Sequence, residues 1–291
     1  MKAVDAPAGR FEPDQATEGK TPVRHSPAPY TLPEQLRDRR LLRPDDRFRF
    51  GCHAGLSCFT RCCGDANIFL TPVDVLRLAR RLRLSTTELL ERHALIPITK
   101  ELHLPVVMLR MGDDEQKRCP FVDAHGCSVY EDRPWSCRMF PLGMGIPPAR
   151  AGVEPEPVYF LLTADFCEGY HQQTGWTVEG WRANEGVLAQ EELEKGYQQL
   201  VAHPWFIGGR RLDPKRIEMF YTACYDLDKF RRFIFQTTFL DRFGLEPQLV
   251  QELRHDDHAL LRFAYRWLRF ALFAEPTIAV RDRAATEGRN E

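Results

Sequence analysis

The chain has 291 residues, 43% of them hydrophobic, and a formal net charge of −1. That is enough apolar material for a buried core, and the charge is too balanced for bulk attraction to nucleic acid or an acidic partner. No apolar stretch approaches membrane-spanning length, and Met1–Lys20 lacks the apolar centre of a secretory signal, so the expected compartment is the cytoplasm, where thiols stay reduced.

In chain order, residues 1–45 read as a disordered tail and lead-in, rich in Pro, Ala and acids without apolar periodicity. Residues 46–175 hold short apolar runs at 67–70, 104–111 and 157–163 that read as strands. Thr71-Pro72-Val73-Asp74 opens a helix with an N-cap, a proline at its first position and an acid, and Val75, Leu78, Ala79 and Leu82 form its apolar face. Ser85 with Glu88 is a capping box for a second helix.

Residues 176–276 read as helical. Thr177 caps a segment carrying Trp181. Asp213-Pro214 opens a long helix on which Ile217, Phe220, Tyr221, Cys224, Leu227 and Ile234 recur at helical spacing. A last helix ends before Pro276, and residues 277–291 read as a second disordered tail. The fold class expected is α+β: a small Cys-rich domain of short strands and two helices, then a helical region that covers it or binds a protein partner. Neither a membrane nor a nucleic-acid surface is indicated.

Eight of the nine cysteines lie between Cys52 and Cys167. Cys52-x5-Cys58-x3-Cys62-Cys63 is one local set, Cys119-x7-Cys127-x9-Cys137 a second, and Cys167 the eighth thiol. Clustered reduced thiols point to metal before disulfides, and both zinc and iron–sulfur clusters take four cysteines. A bond between Cys62 and Cys63 would be strained, because adjacent α-carbons are about 3.8 Å apart and disulfides need more. In an extended segment the two side chains would point to opposite sides, towards two centres, two irons of one cluster, or one ligand and the core. Arg61, Arg118, Arg133 and Arg138 lie near cysteines and would favour thiolate. His53, His125 and His171 are weaker candidates, whereas Cys224 reads as a core residue on an apolar helix face.

Three stretches resemble the YkgJ-type cysteine-cluster family, described as zinc- or iron-chelating or Fe–S-cluster-containing. They are "CHAGLSCFTRCC" (52–63), "LTPVDVLRLARRL" (70–82) and "CPFVDAHGCSVYEDRPWSCRMFP" (119–141). The opening run has gaps of five and three where the family commonly has two and two. The resemblance implies a metal-binding protein whose ligand pool is Cys52, Cys58, Cys62, Cys63, Cys119, Cys127, Cys137 and Cys167, with Zn²⁺ or an iron–sulfur cluster as cofactor. A related cysteine-rich region occurs in flagellin lysine methylases, which points to protein modification for some members. Within the signature, Gly126 permits a close backbone approach, Arg133-Pro134 fixes a turn, and Tyr130 and Phe140 could wall the site from water. Two other readings compete: a metal-dependent enzyme acting in redox or protein modification, and a disulfide-linked exported domain.

Overall fold

A computed structural model describes residues 39–97, 104–145, 156–206 and 209–281. Residues 1–38 and 282–291, which hold most of the two expected tails, lie outside the described residues. Among the described residues are ten short strands and ten α-helices, the helices dominating the C-terminal part. The α+β class is therefore the one observed.

Every strand pairing is antiparallel. The lead-in is paired: β1 (Leu41–Leu42) lies against β9 (Val158–Leu161), which also takes β8 (Leu142–Gly145). β2 (Arg47–Arg49) pairs with β10 (Gly175–Thr177), placing Phe48 opposite Trp176. The chain just before the cysteine run is thus tied to the chain just after Cys167. β3 (Phe69–Leu70), β4 (Ala94–Leu95) and β5 (Val107–Leu109) form a sheet in the order β3-β5-β4, and β6 (Val122–Asp123) with β7 (Gly126–Cys127) makes a hairpin.

Local capping explains most helix starts. In α1 (Pro72–Leu82), Thr71 Oγ1 accepts from the Asp74 N–H at 3.1 Å and Asp74 Oδ2 accepts from the Thr71 N–H at 2.9 Å. Ser85 and Glu88 do the same for α2 (Thr86–His93). A short third helix in the cysteine region, α3 (Trp135–Met139), follows Arg133-Pro134. Thr177 caps α4 (Val178–Asn184), which leads into α5 (Leu188–Val201).

The long helix expected from Asp213 onward is two helices, α6 (Pro214–Cys224) and α7 (Leu227–Phe235). Asp226 causes the break. Its carboxylate accepts from the Lys229 N–H at 3.0 Å and from the Thr87 hydroxyl at 2.7 Å, so it caps a new helix rather than extending the old one. The apolar spacing reads through the break because Phe220, Cys224, Leu227 and Ile234 all enter one core. α8 (Phe239–Arg242), α9 (Pro247–His255) and α10 (Asp257–Phe273) complete the bundle, and Ala274 ends α10 in the left-handed conformation.

Two cores result, and each draws on both sides of the compositional boundary near residue 175. In one, Val75, Leu78, Leu89 and Val107 pack with Phe220, Phe230, Leu260 and Trp267. In the other, Phe48, Phe50, Met139 and Tyr159 pack with Val178 and Trp181. Cys119 and Cys127 rest on the edge of the first core, Cys167 on the edge of the second.

Under α1 lies the buried Glu194. Its Oε1 accepts from the Val73 N–H at 2.9 Å, and burial pushes its pKa up to about 8. A folded-state pKa above the ordinary carboxylate value favours the native state at low pH, and that stability is lost as pH rises from about 4.5 to about 8. Urea unfolding of the wild type and Glu194→Gln between pH 5 and 9 should show the variant gaining on the wild type by up to about 1.4 kcal/mol per pH unit in that window. A difference that does not change with pH would show that Glu194 is ionised throughout.

Candidate metal centre

From His53 to Gly64 the chain coils through tight turns. The N–H groups of Leu56, Phe59, Arg61, Cys63 and Gly64 each donate to the carbonyl three residues back, with Thr60 held at a φ of 66°. Arg61–Cys63 is a 3₁₀ turn, so the extended geometry expected at the cysteine pair is absent.

Two later segments are stitched to this coil. Gly51 N–H donates to the Gly169 carbonyl at 3.1 Å. The Ser57 N–H and hydroxyl donate to the Glu168 carboxylate at 3.1 and 2.5 Å, and the Glu168 N–H donates to Cys58 Sγ at 3.4 Å. Gly169 must be glycine here, since a Cβ would stand 2.6 Å from the Phe50 ring and 2.9 Å from the Gly51 carbonyl oxygen. Further along the coil, Cys119 N–H donates to the Cys63 carbonyl at 2.7 Å, Gly64 pairs with Arg118, and Asp65 N–H donates to the Lys117 carbonyl at 3.1 Å.

The signature then folds back on itself. Gly126, at a φ of 118°, closes the β6–β7 turn beside Cys127, a backbone conformation that favours glycine. The Ser128 N–H and hydroxyl donate to the Phe121 carbonyl at 2.8 and 2.9 Å. Cys137 sits on α3, whose first residue, Trp135, donates its N–H to Asp74 Oδ1 at 2.8 Å.

All nine cysteines are free thiols. Cys58 is buried, Cys52 and Cys62 reach solvent, and Cys63, Cys119, Cys127, Cys137 and Cys167 are half-buried. Cys224 lies apart, fully inside the helical core. The other eight act on one another electrostatically. Cys52 is pushed up to about 11 by loss of water around its sulfur, then by Cys62, Cys167 and Cys58. Burial likewise raises Cys119, Cys127, Cys137 and Cys167, with neighbouring thiols adding to it in Cys119, Cys137 and Cys167. Cys62 is lowered to about 7, chiefly because the Cys63 thiol donates to it, and Cys63 is raised in consequence.

Other groups favour thiolate. Backbone amides approach five sulfurs: Glu168 at Cys58, the residue's own amide at Cys62, Phe121 and Val122 at Cys119, Val129 at Cys127, and Gly169 at Cys167. Of the four arginines singled out, Arg133 acts on Cys52, Cys62, Cys127 and Cys137. Its guanidinium is held by Glu185 at 2.9 Å and lies 3.9 Å from the Tyr130 ring centroid. Arg138 turns to the Glu185 carbonyl, Arg61 lies over Phe166 at 5.0 Å, and Arg118 is exposed. Phe140 packs edge-on against Phe50 and Tyr170, but Tyr130 is 56% exposed and walls nothing. His53, His125 and His171 are exposed.

The donor set fits a thiophilic metal: soft sulfurs, amides aimed at them, a shared cation, and two solvent-facing thiols as an entry path. The sulfurs are neighbours rather than a closed shell, because among the described residues no three His, Cys, Asp or Glu side chains converge as a metal-ready group. Glu168, Gly169 and the long-range role of Asp74 escape the sequence reading. Their partners are remote in sequence, and no local pattern marks them.

Residues 51–168 match the CxxCxxCC family model, described as a putative zinc- or iron-chelating domain. That match supports a general metal-binding role for this part of the chain. Searches of curated proteins and of solved structures return no match. Among the described residues no helix is long and apolar enough to cross a membrane.

In reduced, metal-free protein at pH 7, Cys62 should be roughly half thiolate and the first cysteine alkylated by limiting iodoacetamide, read by peptide mass mapping. Arg133→Gln should slow that reaction and weaken zinc affinity about 10-fold. Equal labelling of all eight thiols would contradict the assignment.

Proposed function

We propose that the chain is a metal-binding protein whose clustered thiolates hold Zn²⁺ or an iron–sulfur cluster. The ligand pool is Cys52, Cys58, Cys62, Cys63, Cys119, Cys127, Cys137 and Cys167. The observation that carries this reading is the gathering of eight free thiols, several of which have backbone amides or Arg133 beside the sulfur to oppose the burial that holds them protonated. Thiols so close together cannot all ionise unless a cation offsets their charge. A divalent metal supplies that charge, while four thiolates around one Zn²⁺ leave a net charge of −2 for Arg133 to offset. Thiol ligands lose protons on binding, so affinity should rise with pH. A reducing compartment such as the cytoplasm would keep the ligands available.

Anaerobic purification with elemental analysis and a visible spectrum tests this. Bound zinc with no visible bands, or bound iron with sulfide and charge-transfer bands, is the expected result. Protein free of both metals, with all its thiols titratable, would overturn it.

A further inference from the structure

We infer that the cysteines form two separate four-thiolate centres that meet at the Cys62–Cys63 peptide. The first takes Cys52, Cys58, Cys62 and Cys167. The second takes Cys63, Cys119, Cys127 and Cys137. This assignment rests on the metal-binding reading above and adds to it the number of centres and the ligands of each.

The backbone carries the division. The early coil is sewn to the segment after Cys167: Gly51 to Gly169, Ser57 to Glu168, and Cys58 Sγ to the Glu168 N–H. Beyond Cys62 the partner changes, with Cys63 bonded to Cys119, Gly64 to Arg118 and Asp65 to Lys117. The seam between the two sets of bonds falls at the adjacent pair. The two cores divide the same way, Cys167 resting on one and Cys119 and Cys127 on the other.

Electrostatic neighbours agree with the backbone. Cys52 feels Cys58, Cys62 and Cys167, and Cys167 feels Cys58 and Cys62. Cys63 feels Cys119 and Cys137, and Cys137 feels Cys119 and Cys127. Links across the division run through Cys62, which touches Cys63 and acts on Cys119. Arg133 acts on two thiols of each set, so one cation serves both. Each set has the four sulfurs that a tetrahedral thiolate site requires.

The test is a Co²⁺ titration of the reduced, metal-free full chain, followed by thiolate-to-cobalt absorption and by counting alkylatable thiols. About two equivalents should bind, each protecting four of the eight clustered thiols. Cys167→Ser and Cys137→Ser should each retain about one equivalent, and peptide mapping should show protection surviving in the opposite set. One equivalent that protects all eight thiols, or loss of all binding in both single variants while circular dichroism stays native, would overturn the division. Should either variant fail to fold, the wild-type count of thiols protected per equivalent still decides between one centre and two. No uptake of cobalt, zinc or iron by the wild type would overturn the metal-binding reading itself, and this inference with it.

Discussion

One buried carboxylate holds the cysteine signature to the rest of the molecule. Asp74 closes the capping box of α1 through Oδ2, while Oδ1 accepts from the Trp135 N–H at 2.8 Å and from Gln190 Nε2 at 2.7 Å. Three segments distant in sequence therefore converge on one side chain: the first helix, the short helix that carries Cys137, and α5 of the bundle. Burial raises the Asp74 pKa, and these hydrogen bonds oppose that shift. An isolated carboxylate would be expensive in such a place, and the satisfied bonds are what make the site tolerable. Around it, Gln190 also donates to Thr71, Glu191 accepts from the Trp135 indole, and Arg77 pairs with Asp132. The helical region is thus a wall of the cysteine domain rather than an appendage.

The cysteine cluster is stressed in the opposite sense. Its groups are brought together by backbone bonds, but as thiolates they would repel. Without a cation most of these thiols are held protonated by burial, several of them further by their neighbours, and only Cys62 is pulled into the range where it ionises at neutral pH. A donor in this state is ready for a cation to replace its protons, which is the linkage that couples metal binding to pH and to folding. Arg133 is too small a counterweight for eight thiolates, although it is well placed to offset the excess charge left after metal binds.

Short-range features of the fold were legible in the sequence and long-range ones were not. Thr71, Ser85, Thr177 and Asp213 announce helices because a cap is decided by residues within one turn. Cys224 declared itself a core residue through helical spacing alone. The break at Asp226 was hidden, since apolar spacing continues across it and the partner that fixes the cap, Thr87, lies on another helix. Pairing of β1 with β9 was equally hidden, because a two-residue strand has too little pattern to announce itself. At the site, the number and clustering of cysteines pointed to metal from composition. What composition could not supply was which thiols share a neighbourhood, because Glu168 meets Ser57 only through tertiary contact.

Adjacent cysteines look redundant if a site is imagined as a local knot of ligands. They become economical once the chain is seen to change partners between them. The backbone that reaches Cys62 belongs with Glu168 and Gly169, and the backbone that leaves Cys63 belongs with Arg118 and Cys119. A single peptide bond at that seam lets each segment contribute a sulfur to its own surroundings without an intervening loop, whose ordering would cost about 1–2 kcal/mol of backbone entropy per residue. The same compactness brings the two sulfurs into contact, so the state of one side, protonated or ligated, is felt directly by the other. Because each side also rests on a different hydrophobic core, the pair joins the two halves of the molecule.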